Sequence, residues 1–216
     1  APLAGLPVLA LLDARGRGVV ELDPLARLPL STLLVGRTGV TDVAALSRVA
    51  TLEVLELAQT RVSDVTGLAG LPALRRLNLF QTDVVDLAPV ATMPALVELA
   101  LGGGDIVELA PLAGVRSLAT LDVQATGIPS LEPLASATSL SSLILRYCEL
   151  PELRPLGALS SLRYLDLTGT TGADLSALAS LPALRTLIIE DGRLPSPLAA
   201  QLSRRVAISP TPIKPA

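Results

Sequence analysis

The sequence predicts an α/β solenoid of about nine stacked coils, and three observations predict it. Nine leucines (Leu12, Leu33, Leu55, Leu77, Leu99, Leu121, Leu143, Leu165 and Leu187) recur with one step of 21 residues and seven of 22. A second all-leucine column runs three residues earlier, from Leu9 to Leu184, and a third, two residues later, is apolar in every coil from Ala14 to Ile189. Self-similarity at this period marks units that cannot bury an apolar face alone, so stability has to come from stacking.

Within one coil, Leu68 to Pro89, the segment Arg76-Leu77-Asn78-Leu79-Phe80 alternates polar and apolar, the signal of a strand with one buried face. Leu77 and Leu79 point inward, Thr82 follows, and Val84, Asp86 and Leu87 make a second inward bend. Pro89 then opens a short stretch with Val90, Met93 and Leu96 that suits a brief helix or 3-10 turn, proline fitting its first position. Stacked coils set their parallel strands about 4.8 Å apart along one side.

The resulting pattern, L-x-x-L-x-L-x-x-T-x-V-x-D-L-x-P-L, resembles the leucine-rich repeat, and its 22-residue length with a Pro-Leu helix start is similar to the class in internalins and other bacterial proteins. The resemblance runs from about Leu3 to Leu198 of the 216 residues. It implies a leucine-rich-repeat solenoid, with a curved, concave parallel sheet and short helices or 3-10 turns on the convex side. It also implies a non-catalytic protein-binding module, belonging to a larger bacterial signalling or defence protein. The alternatives are an internalin-like secreted or surface adhesin and a structural scaffold without a specific ligand.

One departure from the family is informative. Where the family has a ladder of Asn after the strand, this chain has Thr38, Thr60, Thr82, Gly104, Thr126, Cys148 and Thr170. A threonine hydroxyl can satisfy the backbone groups that the bend would leave buried. Cys148 therefore reads as a ladder residue and not a nucleophile, with no histidine in the chain to activate it. A second column, Glu21, Asp42, Asp64, Asp86, Glu108, Glu152 and Asp174, places one acid per coil, which reads as bonding to backbone amides at the helix starts. A metal site would need several oxygens converging on one point. Gly102-Gly103-Gly104 leaves a bare notch beside Phe80 and reads as a bulge where the ladder threonine is missing.

The ends differ from the middle. The first coil, residues 3–24, is degraded, with Ala14 in place of the second strand leucine and Arg17 at the ladder position, and no amino-terminal cap is visible. The expectation is an upstream domain or self-association through that end. Residues 196–208 read as a carboxy-terminal cap: Ser196 caps a helix with Pro197 at its first position, the helix runs to Arg204-Arg205, and Val206-Ala207-Ile208 adds a last strand. One domain, 1–208, is followed by a proline-rich tail, 209–216.

A net charge of −3 and a sequence pI near 5.0 argue against nucleic acid as a partner. No run approaches the roughly 18 apolar residues that a membrane span needs. One cysteine excludes an intramolecular disulfide and favours a cytoplasmic setting, with a secreted or cell-surface one as the alternative. No metal, cofactor or catalytic residue is expected, because the chain lacks histidine and any metal-ligand cluster. Asp122 and Asp166 share a column two coils apart, roughly 10 Å by strand spacing, but an open surface would keep both solvated with ordinary pKa values.

The expected partner is a protein, and its surface follows from phase: residues flanking the strand leucines face outward. From these columns the candidate contacts are Arg76, Asn78, Phe80, Glu98, Asp122, Gln124, Arg146, Tyr147, Tyr164, Asp166 and Glu190. The chain has three aromatic residues, Phe80, Tyr147 and Tyr164, all in or beside these columns, and aromatics and arginine most often anchor interfaces.

Overall fold

The computed structural model describes residues 8–190 and 192–211. The expected start of the first coil, residues 3–7, and the last five residues of the expected tail lie outside them. Contacts divide the chain into two compact units, Ala1–Ile106 and Val107–Ala216.

The first unit holds five parallel strands, β1 (Leu11–Asp13), β2 (Thr32–Leu34), β3 (Val54–Glu56), β4 (Arg76–Asn78) and β5 (Glu98–Ala100). Their register aligns Leu12, Leu33, Leu55, Leu77 and Leu99, so the leucine column of the sequence is a physical row across the sheet. The second unit repeats the arrangement with β6 (Thr120–Asp122), β7 (Ser142–Ile144), β8 (Tyr164–Asp166), β9 (Thr186–Glu190) and β10 (Ala207–Thr211). There Leu121, Leu143, Leu165 and Leu187 align, and Ile208 continues the row. Strand β10 continues to Thr211, with Pro210 in register with Ile189, three residues beyond the end expected at Ile208.

Up to β9 the connections are 3-10 turns and not α-helices: Asp23–Leu25, Ala44–Arg48, Thr66–Leu68 and Val90–Thr92 in the first unit, and Ala110–Gly114, Glu132–Ser136, Arg154–Ala158 and Leu175–Ser180 in the second. Pro24, Pro111, Pro133 and Pro155 sit at their starts, where a missing N–H costs nothing. Coils this short have room for one tight turn, and each buries an apolar residue such as Leu46, Leu68 or Leu112. At Thr66–Leu68 the turns stack so closely that a Cβ on Gly67 would lie 2.6 Å from the Ala44 Cα.

The single α-helix among the described residues, α1 (Ser196–Leu202), starts differently from the expectation. Pro195 is its cap residue, Ser196 is already helical, and no side chain caps it. The helix ends at Leu202, and Arg205 reaches back instead to the Leu181 and Ala179 carbonyls at the last 3-10 turn.

Both scaffold columns take the expected positions. Thr38, Thr60, Thr82 and Thr126 each donate to the carbonyl three residues back, at 2.6–2.8 Å. Thr170 and Cys148 donate to carbonyls of the preceding coil, Leu145 and Val123. Burial pushes the Cys148 thiol up, which keeps it protonated. In the acidic column Asp42, Asp64, Asp86 and Asp174 accept the backbone N–H two residues on, at 2.7–2.9 Å, and Ser130 does the same for Glu132. These bonds hold the Asp64 and Asp174 carboxyls below the usual range. Among the described residues no such bond is seen at Glu21, Glu108 or Glu152.

Four residues after the central leucines from Leu12 to Leu165 the backbone turns left-handed: Gly16, Arg37, Gln59, Gln81 and Gly103 in the first unit, Ala125, Tyr147 and Gly169 in the second. The glycine triplet is therefore no bulge. Gly103 takes the same turn as its counterparts, and the Gln81 side chain lies where its Cβ would be.

Candidate partner-binding surface

The outward column directly after the central leucine has a structural duty before any other. Asp13, Glu56, Asn78, Asp122 and Asp166 each accept, through a side-chain oxygen, the backbone N–H two residues later. This bond bridges the strand to the left-handed turn and explains why polar residues recur there. Leu34, Ala100 and Ile144 occupy the same phase without it, so the turn tolerates its loss.

In the second unit this column carries more than turn formation needs. Asp166 faces outward from β8 and yet has 0% exposure. One carboxylate oxygen accepts from the Thr168 backbone N–H at 3.0 Å and from its hydroxyl at 2.7 Å; the other accepts from Arg146 Nε at 2.6 Å and from the Tyr164 hydroxyl at 3.4 Å. Arg146 comes from the strand's neighbouring coil, remains 43% exposed, and its pairing with Asp166 raises its pKa. Burial pushes the Tyr164 hydroxyl up as well. Two coils before Asp166, Gln124 donates to both oxygens of Asp122, through its backbone N–H and its side-chain amide, each at 2.9 Å.

The expectation that Asp122 and Asp166 would both stay solvated is thus corrected. Asp166 is buried and Asp122 half-buried, and burial raises the Asp122 carboxyl, with the Asp166 charge a smaller contribution in the same direction. A raised carboxyl near a buried carboxylate is a pattern that acid/base chemistry uses, but these two stand two rungs apart. Here, however, Asp166 spends both oxygens on Thr168, Arg146 and Tyr164, which leaves it an ion-pair partner. Among the described residues no group of three or more His, Cys, Asp or Glu could hold a metal ion.

Tyr147 stands apart from this network. It occupies the left-handed position after β7 with φ 56° and lies 60% exposed, its ring over Gly169, where a Cβ would strike it. Glu190 turns inward: it accepts from the Gly169 N–H and faces Arg193 at 3.5 Å, so it serves the scaffold. Thr168, which locks Asp166, was not singled out by phase alone.

In the first unit Arg76 and Glu98 pair across β4 and β5 at 3.1 Å, both exposed, an arrangement worth at most about 1 kcal/mol. Asn78 donates to Glu56 at 2.7 Å, and Phe80 is half-buried beside it. The left-handed column adds residues that the sequence did not mark: Arg37 Nε donates to Gln59, and Gln59 Nε2 donates to Gln81, each at 2.7 Å. Their signal is a 22-residue phase one step beyond the columns read as outward.

The sequence matches no protein-family model and no curated protein. Solved structures do match. An internalin, InlF, from Listeria monocytogenes is 26% identical, with a TM-score of 0.80 over 92% of this chain and 59% of that one. Internalin C2 from the same organism is 28% identical, with a TM-score of 0.78 over 84% of this chain and 80% of that one. A leucine-rich-repeat protein of Leptospira interrogans shares the fold at 19% identity and a TM-score of 0.79, over 93% of this chain and 54% of that one. The chain thus spans about three fifths of the InlF structure. No helix among the described residues is long and apolar enough to cross a membrane. Short parallel strands joined by 3-10 turns on a 22-residue period, with TM-scores of 0.80 and 0.78 to two internalins, give this chain a leucine-rich-repeat fold similar to theirs.

Proposed function

We propose that the chain is a non-catalytic recognition module that binds a partner protein through the outward face of its strands. The observation that carries this reading is the Arg146–Asp166–Tyr164–Thr168 network. The turn needs only the Asp166 oxygen that accepts from the Thr168 N–H, and the coils of Leu34, Ala100 and Ile144 do without even that bond, so burying the second oxygen against Arg146 and Tyr164 goes beyond what stacking requires. Held in place, the exposed part of Arg146 and the rings of Tyr147 and Tyr164 form a preorganised anchor of the residue types that dominate interfaces. Of the two settings, the internalin likeness supports a secreted or surface adhesin over a cytoplasmic signalling or defence protein. Exposed Val8, Leu11 and Val20 support self-association through the amino-terminal unit as a second contact.

Each contact has its own test. Sedimentation velocity on the protein alone reads self-association, which a concentration-independent monomer would remove. With a partner captured from native lysate and then purified, Tyr147→Gly together with Tyr164→Ala should weaken binding about thirtyfold, near 2 kcal/mol. Arg48→Glu, in a 3-10 turn, should leave it unchanged. The opposite pattern would refute binding through the strand face. Tyr147→Gly is the cleaner probe, since the left-handed backbone there suits glycine.

A further inference from the structure

The column that follows the strands in the first unit runs Arg15, Gly36, Ala58, Phe80. Two adjacent coils thus carry almost no side chain between a guanidinium and an aromatic ring, three rungs or about 14 Å apart. The gap is a cleft of about 440 Å³, closed along its edges by Arg37 and Gln59 on one side and Glu56 on the other. Its size falls in the range of ordinary ligand pockets. Its floor is bare by construction: a Cβ at Gly36 would lie 3.0 Å from the Ala58 carbonyl and 3.2 Å from Glu56 Oε1.

The charges around the cleft are sorted. Glu56 uses one oxygen for the Ala58 N–H at 3.1 Å and the other for Asn78 at 2.7 Å. Arg15 is held by Asp13 through two bonds, at 3.0 and 2.6 Å. Arg37 is fixed only through Nε, by Gln59, and its two terminal nitrogens have no partner among the described residues. One oriented guanidinium fork therefore faces the cleft beside an apolar floor and the Phe80 ring. A multiply charged phosphate or a nucleic acid would meet Glu56, whereas a single carboxylate needs only the fork.

We infer that this cleft takes an extended segment of a partner protein that presents an acidic side chain next to an apolar one. The carboxylate pairs with the Arg37 fork, and the apolar side chain lies on Gly36 and Ala58 against Phe80. The inference rests on the reading of the chain as a protein-recognition module.

The test titrates N-acetyl-Leu-Asp-amide into the isotope-labelled protein and follows Arg37 Nε and the Gly36 and Ala58 amides by NMR. These resonances should shift with the Leu-Asp probe and stay still with N-acetyl-Leu-Asn-amide and with inorganic phosphate. Arg37→Gln should weaken binding about tenfold, and its fold should persist because glutamine already occupies the same turn at Gln59 and Gln81. Ala58→Phe, which fills the cleft, should abolish the shifts. No shift with Leu-Asp, equal shifts with Leu-Asn or phosphate, or binding untouched by Ala58→Phe would each overturn the inference. Partner binding that survives both cleft variants but falls with Tyr147→Gly would overturn it too, while leaving protein recognition standing.

Discussion

Asp166 lies on the outward side of its strand, yet its carboxylate is sealed by Arg146, Tyr164 and Thr168. Such a pair adds little net stability when intact, because desolvation offsets the attraction, but removing one partner leaves a charge buried without compensation. Arg146→Ala should therefore cost about 2 kcal/mol, less than the roughly 3–5 kcal/mol for a fully buried pair, since losing the half-exposed arginine also lets water reach Asp166. Adding Asp166→Asn to that variant should recover most of the loss, and urea denaturation of the single and double variants measures both. Equal stability of Arg146→Ala and the parent protein would mean that the pair is solvated in solution. For the same reason Arg146 is a poor first choice for mapping an interface: its truncation alters the scaffold as well as the surface. The phase of the sequence marked Arg146, Tyr164 and Asp166 correctly as outward. It gave no sign that Asp166 would be covered, because burial there arises from Arg146 on the neighbouring rung closing over Asp166 together with Tyr164 and Thr168 of its own coil, and not from the strand's alternation.

The coil is the unit of structure, and its two demanding points behave in opposite ways. Gly67 lies where one 3-10 turn stacks on the backbone of the previous one, so Gly67→Ala should destabilise by about 2 kcal/mol. Ala125 holds a left-handed conformation that a Cβ disfavours, so Ala125→Gly should stabilise by about 0.5–1 kcal/mol. Thermal or urea unfolding of the two variants checks the pair of signs. A neutral Gly67→Ala would show that the turns are free to separate, and a destabilised Ala125→Gly would show that the left-handed turn is not retained. The strand, ladder and aspartate columns were legible because stacking forces one residue type to one phase. The left-handed column was hidden, because Arg37, Gln59, Gln81, Ala125 and Tyr147 show none of the glycine that normally announces such a turn. Strand β10 was only half visible. Its Pro210 read as part of a tail, but a parallel strand bonds a given neighbour through alternate residues and can spare a proline N–H.

Across the molecule the leucine rows carry a stability that is repeated from coil to coil, while the positions between them vary in charge, size and polarity. The fold was legible almost entirely, since period, phase and turn residues agree on it. The candidate surface was legible only as a set of directions. Which outward residues are spent on holding turns, as Asn78 and Glu190 are, and which remain free, as Tyr147 does, depends on contacts that phase cannot supply. The central claim is that recognition lies on the strand side, in the departures from the leucine pattern. Hydroxyl-radical footprinting of the protein with and without its purified partner tests this most directly, because Phe80, Tyr147 and Tyr164 are all the aromatic residues the chain has, and Val85 and Val107 are exposed off the strands. Oxidation of Tyr147 and Tyr164 should fall on complex formation while that of Val85 and Val107 stays unchanged. Protection of Val85 and Val107 with both tyrosines still fully reactive would contradict the claim.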